Sequence, residues 1–242
     1  MLKTGVVSSR APDVVLEAAR SGYGSIDVVK SLTLTIPSGE ILALLGKYGM
    51  GKTTLLKTIL GFLPLRAGNV RLDGHSIAGV SPAQLISKGV GYAPQEQPLF
   101  QDLSIRDNLR LAVSRRADLE PALGRLFEYF PFLSERLAQK AGTLSGGEQK
   151  MLVLGRALMQ RPRLLLIDEI SEGLQPSVVD RIAAVLRRER AEHGTTMLVV
   201  EQNLDFAVKV ADKWAVLKQG EIDDTGMMSP EARAVILGHL KI

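Results

Sequence analysis

Three short runs, Ile41–Leu45, Leu164–Ile167 and Met197–Val200, are apolar at every position. Runs of this length with no polar face predict strands buried on both sides. Amphipathic stretches lie among them. Leu55, Leu56, Ile59 and Leu60 recur at helical spacing, as do Met151, Leu154, Ala157 and Leu158, and then Val178, Val179, Ile182, Val185 and Leu186. Buried strands alternating with such helices predict an α/β fold with a mostly parallel sheet covered by helices.

The flanking patterns differ. From Val14 to Ile36 the pattern is strand-like, with Leu32, Leu34 and Ile36 alternating with Thr33 and Thr35, and Pro37-Ser38-Gly39 turns the chain. Val70 and Leu72 alternate with polar residues before a tight turn at Asp73-Gly74. This predicts a small N-terminal β-rich lobe. Ser81-Pro82-Ala83-Gln84 carries a capping serine, a proline at the first helical position and glutamine three residues after the serine, which marks a helix start. Val90–Ala93 is a short strand ended by Pro94-Gln95. Residues 100–143 read as mostly helical, with Leu109, Leu111, Leu123, Leu126, Phe127, Phe130 and Leu137 as apolar markers and Pro121 and Pro131 as interruptions. Trp214–Leu217 and Glu221-Ile222 predict two short strands around Gln219-Gly220, and Ser229-Pro230-Glu231 starts a last helix. The whole, residues 1–242, is expected to be one domain. Its core and β lobe take up residues 14–95 and 150–242, with an inserted helical lobe over 96–149. Residues 1–12 are polar and are expected to be loose.

Composition narrows the classes. There is no cysteine, so disulfides and cysteine-ligated metals are excluded, and the chain suits a reducing compartment. The net charge of +4 is mild and the basic residues are scattered, which argues against a nucleic-acid partner. Met1–Asp13 lacks the apolar core of a signal peptide, and no apolar run approaches the ~20 residues of a membrane span. The chain is expected to be soluble, and to work at a membrane only through partners.

Two stretches carry chemistry. The Ile41–Leu45 strand runs into Gly46-Lys47-Tyr48-Gly49-Met50-Gly51-Lys52-Thr53 and then Thr54, which fits the phosphate-binding pattern of glycine, four residues, and Gly-Lys-Ser/Thr. Glycines let the backbone approach a phosphate chain, and the helix that follows adds its N–H groups and the positive end of its dipole. Lys52 then places a charge on the β- and γ-phosphates, and the Thr53 hydroxyl can ligate Mg²⁺. Asp168-Glu169 ends a buried strand, where open α/β sheets bind ligands; the pair suits a metal-holding aspartate beside a water-activating carboxylate. A third stretch, Leu144-Ser145-Gly146-Gly147-Glu148-Gln149, combines a capping box with an open helix N-terminus.

That last string resembles the signature motif of ABC-transporter ATPases, and the resemblance extends from Val15 to Gly226. It implies a P-loop NTPase that binds ATP and Mg²⁺. Lys52 and Thr53 would lie in the Walker A loop, Asp168 and Glu169 would end the Walker B strand, and Gln95 would be the Q-loop glutamine that senses the metal. Gly173-Leu174-Gln175 would form the D-loop, and Gln202 stands at the switch position. Tyr23 falls where the family stacks an aromatic on adenine, although by itself it equally suits a packed turn. The resemblance further implies a head-to-tail pair with a second ATPase subunit, whose ATP is covered by the Ser145–Glu148 helix start. It implies a helical lobe docked on membrane permease subunits, a cytoplasmic place on the inner face of the membrane, and a secreted solute-binding protein.

Four positions depart from the common pattern. Tyr48 and Met50 are bulky within the loop, Ile170 replaces a proline, and Gln202 replaces a histidine. The segments 168–177 and 198–207 are similar to the ATPases of branched-chain amino-acid importers and of urea or short-amide importers. Two alternatives stand beside an importer ATPase: a non-transport ABC ATPase, and a weakly hydrolysing subunit paired with an active sister.

Overall fold

A computed structural model describes residues 13–96 and 99–240. The expectation for residues 1–12 lies outside the described residues. The chain begins with two long antiparallel strands, β1 (Val14–Tyr23) and β2 (Ile26–Ile36), each longer than the short strands read from the pattern. All five residues of β3 (Ile41–Leu45) are buried, and the chain then turns into α1 (Lys52–Ile59). Strands β4 (Ala67–Leu72) and β5 (His75–Ser76) close the expected hairpin, with Asp73 at φ 52° and Gly74 at φ 72°. Helix α2 (Pro82–Ser87) carries the capping box foreseen at Ser81 and Gln84, and β6 (Val90–Ala93) follows.

The insert between β6 and the next strand is helical but broken. It contains α3 (Ile105–Arg110), α4 (Leu119–Tyr129), 3₁₀ turns at Pro131–Arg136 and Ala141–Thr143, and then α5 (Gly146–Leu158). Pro131 ends α4, as expected, but Pro121 interrupts nothing. It lies in the first turn of α4, where its missing N–H leaves no helical hydrogen bond unmade. Leu111, one of the apolar markers of this stretch, is 57% exposed.

The last part runs β7 (Leu164–Asp168), α6 (Pro176–His193), β8 (Thr196–Glu201), α7 (Leu204–Val210), β9 (Lys213–Lys218), β10 (Glu221–Met227) and α8 (Ala232–Leu240). Helix α7 has no counterpart in the sequence reading. Its N-cap is Asn203, whose side chain accepts the Phe206 N–H at 3.1 Å.

A six-stranded sheet has the order β10-β9-β3-β8-β7-β6, and a four-stranded sheet the order β2-β1-β4-β5. The larger sheet is parallel from β9 to β6, with β10 antiparallel at its edge. Its central strands β3, β7 and β8 are buried at every position because both faces are covered. Leu164 and Leu166 pack with Leu55, Leu56 and the β1–β2 residues Leu16 and Leu34, while Leu165 and Ile167 pack with Met151, Leu154 and Ile182 from α5 and α6. The α/β class, the covered sheet and the β-rich lobe are thus as the pattern predicted.

Within the insert, Asn108 is fully buried. Its Oδ1 accepts the Phe100 N–H at 2.9 Å, and its Nδ2 donates to Phe100 O and Ser104 O, each at 3.0 Å. These bonds pin the loop after β6 to α3. Asn108→Ala strips them from an interior site and is expected to lower stability by about 2 kcal/mol, seen as an earlier denaturant midpoint at constant slope. An unchanged midpoint would show that the loop is held by other contacts.

Candidate functional site

The phosphate loop is set against the end of β9. A Cβ on Gly46 would lie 2.7 Å from Leu217 O, so only glycine fits there. Gly51, with φ 101°, is the N-cap of α1 and needs glycine for its conformation. No side chain caps α1 and its first turn has no acid, so its leading N–H groups face the loop.

Lys52 is only 4% exposed. Its ammonium donates to Gly46 O at 2.8 Å and Lys47 O at 3.0 Å, and it pairs with Glu169 Oε1 at 3.0 Å. The Thr53 hydroxyl donates to Asp168 Oδ1 at 3.2 Å, and Thr54 is buried beside it. The Tyr92 hydroxyl approaches Asp168 Oδ2 at 3.4 Å. Burial pushes the Asp168 carboxyl above the ordinary aspartate value, the adjacent Glu169 charge adds to this, and Thr53 and Lys52 oppose it. Burial, with the Asp168 charge, likewise raises the Tyr92 phenol.

Glu169 is 5% exposed and sits in left-handed backbone, at φ 45°. Such strain costs on the order of 1–3 kcal/mol and persists only where neighbours hold it. Two glutamines converge on its second carboxylate oxygen, Gln202 Nε2 at 2.9 Å and Gln95 Nε2 at 3.1 Å. Gln95 also donates to Glu172 Oε2 at 2.8 Å. Loops after three different strands, β6, β7 and β8, therefore meet at one carboxylate that faces the loop after β3. This is the C-terminal edge of the parallel sheet, where the strand ends leave a crevice.

The oxygens present suit a hard divalent cation. The Thr53 hydroxyl and Asp168 carboxylate are already neighbours, and Mg²⁺ commonly takes one or two carboxylates and completes its shell with phosphate oxygens and water. Gln95 has its amide nitrogen toward Glu169 and Glu172, so its amide oxygen remains for a metal.

Tyr23 ends β1 at the tip of the first hairpin and is 46% exposed. The hairpin is pinned: Arg20 donates to Asp27 Oδ2, and Arg66 to Asp27 Oδ1 at 2.6 Å and Gly24 O at 2.7 Å. Val28, just beyond the tip, lies against Gly51 of the phosphate loop. Tyr48 is 86% exposed, whereas Met50 is turned inward. Its sulfur accepts the Gln219 N–H at 3.3 Å and its carbonyl the Gly220 N–H at 3.2 Å, so bulk at position 50 fastens the loop to the β9–β10 turn.

Ser145, Gly146, Gly147 and Glu148 form the predicted capping box at the start of α5. Glu148 accepts the Ser145 N–H at 2.9 Å and an Arg136 bond at 2.7 Å. The Ser145 backbone bond, more than Arg136, holds its carboxyl below the ordinary value. The Ser145 and Glu148 side chains bond within their own helix start and to Arg136 rather than to Lys52, Asp168 or Glu169. One turn further along α5, Lys150 does reach the site, donating to Glu169 O at 3.4 Å and Gln95 O at 3.5 Å. Lys150, Tyr92, Ser171 and Glu201 were not singled out from the sequence. The last two form a bonded pair behind Glu169, and burial pushes the Glu201 carboxyl up to about 7.

The family model described as "ABC transporter" matches residues 29–172, which contain the loop, Gln95, the Ser145 helix start and Asp168-Glu169. The chain belongs to the ABC transporter ATPases. It is 37% identical over 223 residues to the high-affinity branched-chain amino acid transport ATP-binding protein BraG of Pseudomonas aeruginosa, covering 89% of this chain and 95% of that one. BraF of the same organism, another branched-chain amino acid transport ATP-binding protein, is 30% identical, covering 82% of this chain and 85% of BraF. The lipopolysaccharide export ATP-binding protein LptB of Escherichia coli K12 is 34% identical, with 83% and 84% covered. Among solved structures, the ADP conformation of MJ1267, an ATP-binding cassette of an ABC transporter, superposes with TM-score 0.84 at 26% identity over 94% of this chain and 95% of that one. A nucleotide-free cassette gives TM-score 0.85 at 25% identity over 93% and 95%. This ABC ATPase is thus a nucleotide-binding, ATP-hydrolysing subunit of a transporter. No helix among its described residues is long and apolar enough to cross a membrane.

Proposed function

We propose that this subunit powers an importer of branched-chain amino acids from the inner face of the membrane. The observation that carries its chemistry is the convergence of Lys52, Gln95 and Gln202 on the buried Glu169 beside the phosphate loop. The loop N–H groups, the α1 dipole and Lys52 bind the β- and γ-phosphates of ATP. Thr53, Asp168 and Gln95 would hold Mg²⁺, which neutralises phosphate charge when bound. Glu169 orients the attacking water and accepts its proton. Gln202 and Gln95 hold the carboxylate for that task. Tyr23, on its pinned hairpin, stacks on adenine. The open α5 start at Ser145–Glu148 contacts the ATP of a second, head-to-tail ATPase subunit.

BraG and BraF favour a branched-chain amino acid as the solute over urea or a short amide. LptB, at similar identity, is named for lipopolysaccharide export, so the experiment reads the cargo directly. A groove of about 290 Å³ between the core and the helical insert supports a permease partner, because Phe62, Ile86, Phe100 and Leu111 line it and are 58%, 47%, 59% and 57% exposed. Exposed apolar side chains gathered in one groove mark a place for a partner segment.

The test is to reconstitute the chain with branched-chain amino-acid permease subunits and a solute-binding protein and to measure ATP hydrolysis with leucine, isoleucine, valine or urea. Stimulation by the branched-chain amino acids supports the reading, and stimulation by urea alone overturns the solute. Leu111→Glu is expected to weaken permease association about tenfold or more, because it puts a charge into the apolar groove. The thermal midpoint should barely move, since the side chain is exposed. Undiminished co-purification would place the permease elsewhere.

A further inference from the structure

Glu169 occupies strained backbone at φ 45°, and two anchors brace it against the end of β8. Its own N–H donates to Val200 O at 2.9 Å. Two residues on, the Ser171 N–H donates to Glu201 Oε1 at 3.0 Å and the Ser171 hydroxyl to Glu201 Oε2 at 2.9 Å. Asn203 adds a backbone bond to the same carboxylate. Glu201 is 1% exposed and Ser171 3%. Between the anchors lies Ile170, also buried, which has no ring to fix its φ. Directly after Glu201 comes Gln202, whose amide meets Glu169 at 2.9 Å.

A buried carboxylate is costly unless its oxygens are satisfied, and here they are satisfied by the two turns that carry Glu169 and Gln202. A core that only needed filling could place an apolar side chain at 201. What an apolar residue could not supply is a fixed distance between the β7 turn and the β8 end, set by two hydrogen bonds to one carboxylate.

We propose that Glu201 is a positioning residue for ATP hydrolysis: its grip on Ser171 fixes the turn carrying Glu169 against the strand end carrying Gln202. The proposal rests on the reading of Glu169 as the base. Glu201 touches neither phosphate nor water, and it acts by holding Glu169 and Gln202 at bonding distance. Glu201→Gln keeps the shape but faces an amide NH₂ toward the Ser171 donors, while Ser171→Ala keeps the carboxylate and removes one bond.

The full chain and the variants Glu201→Gln, Ser171→Ala, Gln202→Ala and Glu201→Gln/Gln202→Ala are compared for ATP turnover and for ADP dissociation constant, below their melting midpoints. We expect kcat to fall about tenfold in Glu201→Gln and by a smaller factor in Ser171→Ala, with ADP affinity within about twofold. The two glutamine-site changes should be non-additive, so that Glu201→Gln costs no more than about twofold once Gln202 is already alanine. Unchanged kcat in folded Glu201→Gln, full additivity, or a parallel loss of kcat and ADP affinity overturns the proposal. Should Glu201→Gln give no cooperative melt, Ser171→Ala decides by the same kcat and affinity criteria. Failure of the functional reading looks different: wild-type turnover would then be indifferent to Lys52→Met.

Discussion

Glu169→Gln is expected to cut ATP turnover by about two orders of magnitude or more while tightening the hold on nucleotide. The first effect is loss of the base: an amide still accepts a bond from water but cannot take its proton. The second follows from the ion pair. The Lys52 ammonium lies 3.0 Å from Glu169 Oε1, and the phosphates of a nucleotide compete for the same ammonium. Removing the carboxylate charge leaves Lys52 to the phosphates alone. Steady-state hydrolysis and a titration with ADP, which needs no chemistry, separate the two effects. Turnover within about threefold of the wild type would remove Glu169 from the base role. Unchanged ADP affinity would show that the pair costs nucleotide binding nothing.

Lys52→Met is expected to act on the fold as well as on the ligand. Lys52 and Glu169 are 4% and 5% exposed, so removing the cation strands a buried carboxylate. Breaking such a pair typically costs about 3–5 kcal/mol. Gln202 and Gln95 still donate to Glu169, which places the expectation at about 3 kcal/mol, seen in denaturant unfolding without nucleotide. Nucleotide binding should fall in the same variant. The double variant Lys52→Met/Glu169→Gln should regain much of the lost stability but none of the lost binding, since no charge is then stranded. Additive losses in the double variant would mean that the pair is solvated and of little weight.

Much of this arrangement was legible in the sequence because the chemistry is local. Gly46 to Thr54 binds through backbone and helix start, and Asp168-Glu169 lies at a strand end that the apolar run announces. The apolar runs reported burial on both faces correctly, since each alternate residue has its own layer to fill. Gln95 and Gln202 carry no local signal; only resemblance marked them, and their meeting at Glu169 is a tertiary fact. Lys150, Tyr92 and Glu201 were silent for the same reason. A carboxylate after an apolar strand reads as a solvated strand end, and nothing near Glu201 in the chain announces Ser171, thirty positions earlier. Helix α7 is too short, at seven residues, to display a period, and Asn203 was its one local sign. Leu111 fits a helical period but lines the groove between core and insert and stays exposed, which a period alone does not report.

The inward turn of Met50 has a practical bearing on labelling and fusion. Its sulfur and carbonyl hold the β9–β10 turn, and a small cavity lined by Lys47, Met50, His239 and Leu240 joins the phosphate loop to the end of α8. His239 is itself clasped by Asp223 and Asp224 on β10. An environment-sensitive dye attached at the end of α8 would therefore sit close enough to the loop to report nucleotide occupancy. A bulky group attached to α8, by the same proximity, is a perturbation to control for in any rate measurement.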